Sequence, residues 1–322
     1  MNTSQNLTII FYHSKIEKAV GATILSIILL LAFLGNLLTS LIFLRKPRLR
    51  TPTNISILFL SLSDILMAAL VMPFSLASLI KGKWISSQEA CAFSAWLMNV
   101  LLAVSLITMT CTAVIRYFCV VKSAFYLQLV KSKIVAVGVA LLWLTYSLFS
   151  ALAMIFASKG SVYDRRRTFC ENTFSGNVAD IFNYAGSSLM VISGLVIFLA
   201  YFKVFRFVSH HNQAVGSNLQ QGNSSHIEEA KITKTLVIVV LGFSSCWAPA
   251  ITIHLIYIFG GYQHDGQFRM PAFAILLQTL CIFAISCINP FIYGFTNRRF
   301  RKEYLELLRL LLPPKIVLAG GL

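Results

Sequence analysis

Acidic residues are scarce in this chain, with 11 Asp and Glu against 27 Lys and Arg, and only 12% of its 322 residues are charged. A water-soluble domain of this size carries about 25% charged residues. Half that share leaves too little polar surface to cover a globule in water. With 57% hydrophobic residues and a mean hydropathy of +0.77, the chain reads as a membrane protein. Catalytic equipment is missing as well: no metal-spaced His, Cys and carboxylate set, no phosphate-cradling Gly loop and no nucleophile elbow. The net charge of +16 forms neither a stripe nor an RNA-binding motif, because the basic residues fall between apolar segments. The first 18 residues (MNTSQNLTIIFYHSKIEK) are polar and lack the h-region of a cleavable signal. The first apolar span is therefore expected to act as its own signal.

What is present is a series of long apolar runs. A bilayer core needs about 20 apolar residues per helix, and seven stretches qualify, roughly 19–44, 54–80, 90–121, 134–157, 181–202, 235–259 and 271–296. These runs predict an all-α membrane protein, a seven-helix bundle over 19–296 with an N-terminal segment of 1–18 and a tail of 297–322. Eighteen Lys and Arg flank the spans on one side and nine on the other, which directs the N-terminus outside and the tail to the cytoplasm of a multi-pass plasma-membrane protein. Asn2 and Asn6 begin N-x-S/T sites on the outer side, where glycosylation acts. Residues 207–230 are rich in Ser, Asn, Gln and His and read as a mobile cytoplasmic loop. In the tail, Phe300, Tyr304, Leu307, Leu308 and Leu311 share one helical face with Arg and Lys interleaved. That pattern predicts a short amphipathic eighth helix on the inner lipid surface.

Few polar residues interrupt the spans, and each carries two readings. Asp64 lies mid-span, where an unpaired carboxylate is costly. It is either part of a cation- or proton-binding cluster with Ser105, Ser286 and Asn289, or a hydrogen-bonded acid that fixes helix packing. Pro249 and Pro290 remove backbone hydrogen bonds and kink their helices, as hinges or as bundle shaping. Trp247 is a packing aromatic or a lever beneath a cavity. His254 stands alone and reads as a pocket or packing residue. Five of the seven cysteines lie inside apolar runs; Cys91 and Cys170 fall at or near segment ends and form the candidate disulfide on an oxidising outer face. Such a bridge pins the loop between spans four and five over the bundle mouth. In that loop, Asp164 to Arg167 reads as a solvated charge run, or as a steering patch for anions.

Taken in order, Gly35-Asn36, Leu60–Asp64, Trp84 with Cys91, Ile115-Arg116-Tyr117, Trp143, Cys170, Tyr201, Phe243–Pro249 and Asn289–Tyr293 resemble the rhodopsin-like family of G-protein-coupled receptors over nearly the whole chain. The resemblance implies a receptor whose outer half binds an agonist and whose inner half opens to a heterotrimeric G protein. It implies a sodium pocket at Asp64, Ser105, Ser286 and Asn289, with sodium as an allosteric ion. Trp247 and Phe243 match the family's rotamer-switch pair, and Arg116, Tyr117, Tyr201 and Tyr293 match its coupling residues. Glu229 stands where an acid faces that arginine. Within the family, "WLMNVLL", "SVYDRRRTFC" and "SCINPFIYGFTNRRFRKEY" look most like melatonin receptors, which implies an inhibitory-class G protein. Ligand contacts are then expected at Met98, Asn99, Leu102, Trp247, His254 and Phe283.

The chain also departs from the family. Ile115 replaces the usual acid, Met98 replaces the amine-gripping acid, and the prolines of spans four and five are absent. Span seven has no lysine, with Phe283 near the position needed, so retinal is excluded. Where melatonin receptors hold polar ligand contacts, this chain has Ala153, Asn172 and Phe174. A small, mostly uncharged extracellular ligand is the expectation, with a short peptide or lipid as the alternative. A transporter is the alternative from another class, but repeated halves with paired broken helices are not found.

Overall fold

The computed structural model describes residues 13–174, 177–216, 242, 245–253, 255–256, 271–296 and 298–311. Helix α1 covers Lys15–Arg45 and opens on a capping box. Ser14 Oγ accepts from the Glu17 amide at 3.1 Å while the Glu17 carboxylate accepts from the Ser14 amide at 2.6 Å, which satisfies two otherwise orphan donors. After a 3-10 turn at Pro47–Leu49 come α2 (Pro52–Leu70) and α3 (Met72–Lys81), which divide one membrane span at Val71. Pro73 follows that break and cannot supply the amide a continuous helix requires. Helix α4 runs Gln88–Val121, α5 Ser123–Leu129 and α6 Ser132–Ala157. An antiparallel hairpin follows, β1 (Ser158–Asp164) and β2 (Phe169–Phe174), in register from Ser161↔Asn172 to Asp164↔Phe169. Helices α7 (Asn177–Gly216), α8 (Ala272–Thr296) and α9 (Arg298–Leu311) complete the described chain.

Among the described residues six helices are long and apolar enough to cross a membrane. They coincide with six of the seven expected spans. Of the sixth span in chain order, residues 245–253 are described and helical. Two local expectations need correcting. Helix α7 continues through the first part of the stretch expected to be a loop, because Val204 and Val208 bury against Ala113 of α4. The loop between spans four and five is a structured hairpin, and the Asp164–Arg167 run is its turn, half-buried except at Arg165, which is exposed.

Small residues set the closest helix approach. A Cβ built on Gly35 of α1 would lie 2.9 Å from the Pro290 ring of α8, so glycine lets these helices meet at the proline. The same contact carries a polar tie: Asn36 Nδ2 donates to the Ser286 carbonyl at 2.8 Å. At the tail end, Phe43, Phe300 and Tyr304 form one apolar cluster, and Thr39 Oγ1 and the Tyr304 hydroxyl share a hydrogen bond. Lys46 pairs with Glu303 at 2.8 Å, and that hydrogen bond raises the lysine pKa. The expected tail face is therefore buried, through Phe300, Tyr304 and Leu307.

Candidate functional site

Three layers line the bundle axis. In the middle, α2 and α8 bring Asp64 and Asn289 together. Asp64 is 1% exposed, and Asn289 Nδ2 donates to its Oδ2 at 2.8 Å. Ser286, one turn earlier on α8, is its second side-chain hydrogen-bond partner. A buried carboxylate needs such donors to stay in place. Ser105 joins the layer from α4, but its hydroxyl is bonded to Ser63 at 2.9 Å rather than to the acid. Among the described residues no three His, Cys, Asp or Glu side chains cluster. Asp64, Ser286 and Asn289 bring side-chain oxygens together at this depth, and oxygen ligands suit hard cations.

Toward the tail end, a cavity runs between Trp247 and Arg116, with Met109, Tyr201, Asn289 and Tyr293 in its wall. Helix α4 supplies Arg116 as its last charged residue. Arg116 Nε is buried without a hydrogen-bond partner, and no carboxylate among the described residues pairs with it. Ile115 turns away and is buried, while Tyr117 lies under the Lys203 ammonium at 5.7 Å. Glu229, Phe243 and His254 lie outside the described residues, as do Asn2 and Asn6.

At the hairpin end, α4 and α8 present Met98 and Phe283, both buried, with Leu102 beside them. Asn99 does not join this group. Its Oδ1 accepts from the Tyr146 hydroxyl at 3.0 Å and from Ser150 at 3.4 Å, both on α6. A one-residue step on a helix turns a side chain by about 100°, which puts Asn99 on the α6 face, apart from Met98.

The hairpin turn fills the remaining space, a feature that sequence reasoning missed. Cys91 and Cys170 are bonded, as expected. Beside that bond, Ser75 Oγ and Thr168 Oγ1 share a hydrogen bond at 2.8 Å, and Thr279 Oγ1 donates to the Arg167 carbonyl at 3.1 Å. His13 Nε2 donates to the Arg166 carbonyl at 3.0 Å, and burial lowers the imidazole pKa. Within the turn, Asp164 accepts from the Arg166 amide at 2.8 Å, and Arg167 pairs with Glu171. The Tyr163 hydroxyl donates to the Ser78 carbonyl at 3.1 Å, and burial pushes its pKa up to about 12. The available signal was the run of β-formers on both sides of "DRRR", next to a cysteine already assigned to the bundle.

The family model "7 transmembrane receptor (rhodopsin family)" matches residues 35–293. The chain is 27% identical over 302 residues to a QRFP-like peptide receptor of Branchiostoma floridae, covering 91% of this chain and 78% of the relative. It is 28% identical over 321 residues to the human 5-hydroxytryptamine receptor 4, with 91% and 80% covered. It is 27% identical over 300 residues to melatonin receptor type 1C of Gallus gallus, with 92% and 84% covered.

Proposed function

Because the chain belongs to the rhodopsin family of seven-transmembrane receptors, a multi-pass plasma-membrane family of signalling receptors rather than enzymes, we propose that it binds a small extracellular ligand and activates a heterotrimeric G protein. The N-terminal segment 1–18, with glycans on Asn2 and Asn6, lies outside. The bundle spans 19–296, and the 297–322 tail lays α9 on the inner lipid surface. Met98, Asn99, Leu102, Trp247, His254 and Phe283 contact the ligand. Arg116, Tyr117, Tyr201, Glu229, Phe243, Trp247 and Tyr293 serve switching and coupling. Asp64, Ser286 and Asn289 hold sodium, with Ser105 supporting them through Ser63.

The observation that carries this reading is a continuous packed column along the axis. Met98 and Phe283 belong to the cluster at the hairpin end, and Trp247 packs with Leu106 and Ile285 in the next. Ala284 and Ile288 touch both clusters, and the cavity with Arg116 opens beneath Trp247. A ligand that prefers one arrangement of the column shifts the other end with it. Met98, Leu102 and Phe283 are apolar, which favours an uncharged ligand of melatonin-like size, and likeness to melatonin receptors favours an inhibitory-class G protein. Likeness to a peptide receptor supports the alternative of a short peptide.

The test is expression with a panel of G-protein biosensors and a screen of indoles including melatonin, nucleosides, lipids and short peptides. An uncharged small molecule that shifts an inhibitory-class signal is the expected result. A panel silent in the presence and absence of every ligand overturns the reading.

A further inference from the structure

We propose that the hairpin turn is a tethered occupant of the outer pocket, with the Phe169 ring standing where an agonist's ring would stand. Residues 165–168 bend into the bundle mouth. Thr168 has φ 65°, the sole positive value outside glycine among the described residues. A β-branched residue avoids that region unless its surroundings hold it there. Here the surroundings do so: Ser75 Oγ bonds its hydroxyl, Thr279 bonds the preceding carbonyl, and Cys170 is anchored to Cys91 two residues later. Both Ser75 and Thr168 are buried, so neither hydroxyl can exchange this bond for water.

The consequence falls on the next residue. Phe169 is 8% exposed and packs in the cluster that contains Met98, Leu101 and Phe283. Its ring meets Phe283 edge-on with centroids 6.5 Å apart. These are the side chains that a ligand in this pocket would have to contact. Any such ligand competes with a ring already covalently attached to the pocket wall, at an effective concentration on the order of millimolar.

The direction of the effect follows from the opposite end. With Phe169 seated, the column below it ends in a cavity that reaches Arg116. Arg116 has no carboxylate partner among the described residues, and Ile115 provides none in sequence. On this proposal the ring acts as an agonist at one end of the packed column whose other end is the Arg116 cavity, a sign that the ligand-free signal tests directly. The protein then signals without added ligand, and extracellular ligands act by displacing Phe169. This inference rests on the receptor reading above.

The experiment measures ligand-free G-protein signal from the full chain at matched surface expression. The wild-type chain is expected to exceed untransfected cells. Phe169→Ala should lower that signal by roughly fivefold or more, the scale of an ordinary coupling free energy. Added toluene, which matches the side chain removed, should restore it in Phe169→Ala and leave wild type unchanged. Phe169→Leu keeps apolar volume for folding, loses the ring, and should also signal less than wild type. An unchanged or raised signal in both variants overturns the proposal, as does an equal response of wild type to toluene. A silent wild type whose Glu229→Ala variant signals keeps the receptor reading and overturns this inference. Silence in both overturns both.

Discussion

Arg116 ends the buried stretch of α4 beside Ile115, a neighbour with no charge to offer. An acid at that position would give the guanidinium a local partner and hold it in one pose. Ile115→Asp should therefore lower ligand-free signalling by roughly fivefold, read with the same biosensors at matched surface expression; an unchanged signal removes Arg116 restraint from the account. Asp64 leads to a second expectation. If its carboxylate and the Ser286 and Asn289 oxygens hold sodium, ligand-free signal falls as external sodium replaces choline. Asp64→Asn should abolish that dependence, and a variant that keeps it contradicts the assignment. His13 supplies a pH expectation outside the membrane. Burial lowers its pKa below the ordinary value of 6.5, so protonation favours the released segment. The tie to the Arg166 carbonyl is fully present above about pH 6.5 and is lost as pH falls through the depressed value. Protease accessibility of the N-terminal segment should rise between pH 7.5 and 5 in wild type, and should not change over that range in His13→Ala.

At the scale of elements, α9 is tied to α1 by the Thr39–Tyr304 hydrogen bond and by the Phe43, Phe300 and Tyr304 rings. Removing the hydroxyl in Tyr304→Phe should cost about 1 kcal/mol, seen as a lower Tm in detergent; an unchanged Tm would show that ring packing alone holds α9. That helix was legible in the sequence because its buried residues recur at helical spacing within 14 residues. The membrane spans were legible for a similar reason, since a bilayer imposes a length that composition reveals directly. The hairpin was not legible. Its ties reach residues 93 and 112 positions away, from Thr168 to Ser75 and from Arg167 to Thr279, and no local pattern encodes those partners. The continuation of α7 past residue 207 escaped for the same reason. Its composition is polar, and its support is the burial of Val204 and Val208 against another helix. The bonds from Tyr146 and Ser150 to Asn99 were not legible either, because those partners lie 47 and 51 positions away. Asp64 and Asn289 were legible as a pair, since polar residues in a membrane span must find one another.

Across the whole molecule, three layers share one axis: a covered pocket, a buried carboxylate with two partners, and a cavity that ends at an arginine. The covering hairpin is joined to the bundle by a disulfide that closes a 79-residue separation, and packed side chains connect the layers below. Arg116 is the one strong charge in the cavity wall and the group that should meet a bound G protein. The most direct measurement is nucleotide exchange on a purified inhibitory-class heterotrimer, catalysed by the full chain in lipid nanodiscs. The account predicts exchange above that of the G protein alone for wild type, and its loss in Arg116→Ala. Exchange that is no faster with the wild-type chain, or that survives in Arg116→Ala, would contradict it.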